Sequence, residues 1–303
     1  MKKPQGTDSI AEACLDCIAY FGIFNFPLRA EEIHRYISLR CTPEEVLRTL
    51  NALVDDGKLV QHQSYYLTEN NPDWIAQRQK GYKRALHLLE RSKIFVRLIA
   101  SFPFVRAIAI SGSLSKFAMG KTPDIDYFII TDPGRLWIAR SLLHVFKKLS
   151  FITGHQHYFC MNYFIDTHAL ALKQRNQYVA IELATLLPVY NRALINRLIK
   201  ENNWIDEFLP NHPGIIKDDY MISTGRQYFK KLMENIICLF SPGVLNKKLM
   251  EFTDRRWRKK WTLAGYTRQE YEKAMQTELH ISKNHPEDYE EFVLNELAKR
   301  RNK

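Results

Sequence analysis

Val105-Arg106-Ala107-Ile108-Ala109-Ile110-Ser111-Gly112-Ser113 and, ten residues later, Asp124-Ile125-Asp126-Tyr127-Phe128-Ile129-Ile130 are the stretches that decide the fold. The first is apolar apart from Arg106 and reads as a buried strand that runs into a tight turn and then a helix. Glycine lets a backbone approach a ligand closely, and Ser113 with the N–H groups at the helix start offers donors to phosphate. The second stretch is another buried strand, and two carboxylates open it. Residues two apart on a strand face the same way, so Asp124 and Asp126 stand side by side at the mouth of a sheet. Carboxylates that close repel unless a divalent cation lies between them, and Mg2+ takes one or two carboxylates together with substrate phosphates.

Buried strand, Gly-Ser, short helix, then Asp-x-Asp opening a second buried strand is an order that resembles the DNA polymerase β-like nucleotidyltransferase superfamily. Both halves of that signature match, at Gly112-Ser113 and at Asp124 with Asp126. The resemblance implies a small mixed-sheet nucleotidyltransferase core within an α+β fold. It implies a nucleoside triphosphate as partner, and Mg2+ (or Mn2+) as cofactor on Asp124 and Asp126. The reaction it implies moves a nucleoside monophosphate to an acceptor and releases pyrophosphate, with Gly112 and Ser113 at the β and γ phosphates. Lys116 and Lys121 lie between the motif halves and either add positive charge at the nucleotide or are surface lysines of a loop.

Relatives of this kind commonly carry a third acid on a neighbouring strand. Residues 157–166 read as that strand, in which Asn162 and Asp166 share parity and lie about 13 Å apart. Only one of them can stand beside Asp126. Glu182, in a helix expected over 177–187, is the third candidate. Asp166 is the preferred choice, completing a catalytic set of Asp124, Asp126 and Asp166. Asn162 in that place would leave no base on the strand and would favour a different function: a catalytically weak or inactive nucleotide-binding regulator.

Working outward, residues 71–175 form the expected core, led by a long helix from Pro72 to Ile99. Residues 1–70 read as three helices and a hairpin. Thr42, Pro43 and Glu45 mark the start of the third helix as N-cap, first position and capping-box partner. This element order resembles a winged helix-turn-helix, whose third helix enters the DNA major groove. Here the exposed face of that helix offers Glu44, Glu45, Arg48, Thr49, Asn51, Asp55 and Asp56, acidic on balance, and phosphate repels it. A protein-interaction or scaffolding role is preferred. Cys14 and Cys17 fall on an apolar helix face without a second ligand pair, so they read as core.

Residues 176–303 read as a helical C-terminal domain. Seven basic side chains lie within 247–261, interleaved with Trp257 and Trp261. Such a mixture suits single-stranded nucleic acid when the rings are exposed. The preferred reading packs the tryptophans inward. Arg135 and Arg140 are candidates to approach the nucleotide, although helix arginines more often pair with acids. His155 and His157 near Cys160 make a poor zinc site.

The 303 residues suit two or three domains, and 46% apolar content supports a sizeable core. Net charge of +11 favours an anionic partner, nucleotide or nucleic acid. No apolar run reaches the ~20 residues of a bilayer span, and the first residues lack the apolar stretch of a signal peptide. The expectation is a cytoplasmic protein with reduced cysteines and no membrane partner.

Overall fold

The first helices form where their caps stand. In the computed structural model, which describes residues 9–121, 124–150, 158–214, 220–225, 227–284 and 289–301, helix α1 (Ile10–Gly22) starts on Ser9, whose hydroxyl accepts from the Glu12 N–H. α2 (Ala30–Tyr36) follows, then α3 (Pro43–Asp55) with the Thr42–Glu45 capping box in both directions. β1 (Val60–His62) and β2 (Tyr65–Leu67) close an antiparallel hairpin. α4 (Pro72–Ala100) leads to β3 (Val105–Ile110), the one-turn α5 (Gly112–Ser115) and β4 (Asp126–Thr131). α6 (Leu136–Ser150) carries the chain to β5 (Cys160–Asp166), α7 (Gln177–Ala184), β6 (Leu187–Tyr190) and α8 (Arg192–Glu201). The chain ends through α9 (Tyr228–Cys238), α10 (Pro242–Leu263), α11 (Arg268–Ala274), β7 (Met275–Glu278), β8 (Ile281–Asn284) and α12 (Tyr289–Arg301).

The fold is α+β around a mixed six-stranded sheet of order β6-β3-β4-β5-β8-β7, in which β4 and β5 run parallel and the other neighbours antiparallel. Three of these strands lie in the region expected to be helical, so the boundary at residue 175 is corrected: the C-terminal part supplies half of the sheet. Pro188 disguised β6, yet β6 is an edge strand, where a missing N–H is tolerated. β7 and β8 turn on Leu279-His280, with neither Gly, Asn nor Pro to announce a hairpin.

Each face of the sheet has its own apolar layer. Ile108, Ile110, Tyr127, Ile129 and Phe164 pack with α4 and α6 residues such as Leu89, Val96 and Trp137. Ala107, Ala109, Phe128, Ile130 and Ile165 face the other way, into a cluster that continues through α7 and α8 into α1, α2 and α3. Cys14 and Cys17 are buried in that cluster, as core. The boundary expected at residue 70 is therefore not a boundary of packing. Asn211 strengthens the join, accepting from the Cys41 N–H at 3.3 Å and donating to the Leu39 carbonyl at 2.8 Å.

Candidate active site

β3 ends where β4 begins, because the two run antiparallel. The Ser111 N–H donates to the Asp126 carbonyl at 2.9 Å and holds the turn against the start of β4. Gly112 then takes φ +66°, and a Cβ on it would stand 2.7 Å from Asp126 Oδ2. Only a residue without a side chain lets the carboxylate lie against the turn. The Gly-Ser turn and the Asp-x-Asp pair thus meet as the spacing requires. Ser111, Gly112, Ser113, Lys116, Asp124 and Asp126 all line one cleft of about 810 Å3.

Glu182 of α7 lines the same cleft, and its carboxylate accepts from Lys116 Nζ at 2.8 Å. Lys116 also donates to the Gly112 carbonyl at 3.2 Å, so this cation is fixed between turn and acid. The Asp126 carboxyl is pushed up to about 6, first by burial and then by the charges of Asp124 and Glu182, with Lys116 and Lys147 pulling the other way. Burial likewise raises the Cys160 thiol to about 11 beside these acids. Asp124, Asp126 and Glu182 line the same cleft; Glu182 is held by Lys116, and Asp124 and Asp126 are oxygen donors of the kind a divalent cation takes.

Asp166 is not among them, and its assignment to the catalytic set is corrected. Asp126 pairs with Cys160 and Phe128 with Tyr163, so β5 spends one extra residue against β4. This bulge turns both Asn162 and Tyr163 toward the cleft. It also reverses the parity of the later residues of β5, so Asp166 pairs with Thr131 at the far end of β4, about 16 Å of strand away from Asp126. There Asp166 is fully buried. It accepts from the N–H groups of Gly134 at 2.7 Å and His168 at 2.9 Å, and His280 Nδ1 lies 2.7 Å from its Oδ2. Asp166, His168 and His280 bring potential metal-ligating atoms within 4.8 Å of one another, a set of imidazole and carboxylate that suits zinc better than Mg2+. Both oxygens of Asp166 are nonetheless already engaged by protein groups that tie β5 to the β4–α6 loop and to the β7–β8 turn.

Arg135, just before α6, and Arg140 within it are also elsewhere. Arg140 is buried with its guanidinium 4.5 Å from the Trp257 ring, and Arg135 bonds the Gly134 carbonyl. Lys121 is exposed and does not line the cleft. Trp257 and Trp261 pack against Tyr271, Ala274 and Met275, which leaves α10 without the open aromatic platform that base stacking needs. His155 and His157 lie outside the described residues.

The far wall of the cleft is built by residues that single-strand patterns could not assign to it. Tyr20, Phe21, Phe24 and Phe26, at the end of α1 and in the turn after it, face Phe128, Tyr163 and Tyr178. The Tyr163 and Phe128 rings stack at 4.9 Å. Aromatic density in Tyr20-Phe21-Gly22-Ile23-Phe24-Asn25-Phe26 is the sequence signal, but it reads equally well as core of a small helical module. The exposed side of α3, with Glu44, Asp55 and Asp56 against Arg48, keeps its acidic balance. Comparison of the chain with protein-family models, with curated proteins and with solved structures gave no match.

Proposed function

We propose that the chain is a metal-dependent nucleotidyltransferase that moves a nucleoside monophosphate from a nucleoside triphosphate to a small hydroxylated or phosphorylated acceptor. The convergence of Gly112, Ser113, Asp124 and Asp126 on one cleft supports this most strongly. Mg2+ would be held by Asp124 and Asp126, and when bound it would neutralise charge on the triphosphate and help to align the attacking oxygen. The Gly112–Ser113 turn admits phosphate oxygens to backbone N–H groups and to the Ser113 hydroxyl, while Lys116 offers a fixed positive charge. Reaction forms a bond from the acceptor oxygen to the α phosphorus and breaks the bond to the departing pyrophosphate. With a hydroxyl acceptor, its proton passes to Glu182, because Asn162 has no basic site to receive it. A cleft of this volume falls in the small-ligand range of about 300–1,000 Å3, which favours a small acceptor over a polynucleotide.

The test incubates the protein with Mg2+ or Mn2+, each nucleoside triphosphate and an extract of small metabolites, and measures pyrophosphate. Release is expected with at least one triphosphate, and Glu182→Gln is expected to lower kcat about 10²-fold, the usual worth of a general base. A second reading has one observation of its own: the β5 side chain lining the cleft beside Tyr163 is Asn162, an amide rather than an acid. In that reading the chain binds nucleotide and regulates without turnover. Metal-dependent binding with no release under any triphosphate would select it.

A further inference from the structure

α9 is inside out. Its sheet-facing side carries Lys230, a buried lysine that donates to the carbonyls of Ala100 at 2.9 Å and Val105 at 2.6 Å. One turn on, Glu234 accepts from the Phe104 N–H at 2.7 Å and from Arg106 at 2.8 Å. Rolling the helix to bury its other side would break all four bonds, so its orientation is locked. That other side is apolar. Phe229, Leu232, Ile236, Leu239 and Phe240 follow at helical spacing along one stripe and all are exposed, Phe229 to 73%, Leu239 to 80% and Phe240 to 70%. Beyond the Ser241-Pro242 turn, Val244 and Leu245 of α10 are exposed as well.

The exposed charges of α9 and α10 are mostly basic. Lys231, Lys247, Lys248, Arg255, Arg256 and Lys259 are exposed on the two helices. The acids of residues 228–263 are Glu234, Glu251 and Asp254. Glu234 is turned onto Arg106 and Asp254 onto Arg258, Tyr271 and Thr277, which leaves Glu251 facing outward. A second copy docking here would bring the same cations against each other. A polynucleotide would meet the cations and leave Leu232, Ile236, Leu239 and Val244 without an apolar partner. An anionic lipid surface accepts both sets, alkyl and aromatic groups at the acyl boundary and lysines at the headgroup phosphates.

We propose that the α9–α10 segment seats this protein on an anionic membrane surface, with Leu239 and Phe240 inserting at the turn and Lys231, Lys247 and Lys248 on the headgroups. No helix among the described residues is long and apolar enough to cross a membrane, so the contact is interfacial. This inference is independent of nucleotidyl transfer, since its measurement needs no turnover.

The experiment sediments the full chain with vesicles of phosphatidylglycerol and phosphatidylcholine, 1:1, and with pure phosphatidylcholine. Partitioning is expected to be about tenfold stronger on the anionic vesicles and to weaken with salt. The double variant Leu239→Asp, Phe240→Asp should lose about tenfold or more, and Lys247→Glu, Lys248→Glu should lose the salt-sensitive part. All four side chains are exposed, so far-UV circular dichroism and melting should be unchanged. Absence of binding, or equal binding to both vesicles, would overturn the proposal. So would a concentration-dependent dimer that Leu239→Asp, Phe240→Asp dissolves, or RNA binding stronger than vesicle binding.

Discussion

The double substitution Asp124→Asn, Asp126→Asn is expected to reduce pyrophosphate release by about 10³-fold or more, equivalent to about 4 kcal/mol of transition-state stabilisation. Amides keep the shape of the site and remove both negative charges that would hold the cation. The two groups act through one ion, so either single substitution should cost nearly as much as the pair. The measurement is steady-state release under saturating Mg2+ and triphosphate. A double variant retaining a tenth of wild-type activity would mean that these carboxylates do not hold the metal.

Asp126→Asn alone should make the folded protein more stable at neutral pH while it removes activity. The native environment raises this carboxyl from 3.8 to about 6, chiefly by burial. Folding therefore favours the protonated form. The resulting cost is absent below pH ~4, grows as pH rises toward 6, and above that reaches about 3 kcal/mol by proton linkage. An amide never carries the charge, so the variant should gain about 1–3 kcal/mol in urea unfolding at pH 7.5 and lose that advantage toward pH 4. Saturating Mg2+ should stabilise wild type more than the variant, because bound ligand adds to stability only where it binds the native state. A variant less stable than wild type at pH 7.5 would show that the carboxylate is satisfied by protein groups instead.

What could be read from the sequence was local. Gly112, Ser113, Asp124 and Asp126 lie within one strand-turn-strand unit, and antiparallel pairing of β3 with β4 brings its two ends together without help from distant chain. The cap of α3 was equally explicit. The features that escaped it depended on register or on partners far along the chain. Strict alternation placed Asn162 and Asp166 on one face, but a one-residue bulge in β5 reversed the second half of the strand. β7 and β8 gave no turn signal, and they join the sheet only because the exposed edge of β5 accepts β8. The aromatic wall from α1 depends on a core shared between residues 10–54 and the sheet, which no periodicity within α1 can announce. The inverted polarity of α9 has the same origin: Lys230 and Glu234 face inward because carbonyls, a backbone N–H and Arg106 more than a hundred residues away await them.

The most direct measurement is crystallographic: crystals of the protein with Mn2+ and a non-hydrolysable nucleoside triphosphate, read by the anomalous signal of the metal. The account predicts a peak within about 2.3 Å of a carboxylate oxygen from each of Asp124 and Asp126, with the triphosphate on the Gly112–Ser113 turn. Anomalous density confined to Asp166, His168 and His280, or a triphosphate bound away from β3 and β4, would contradict it.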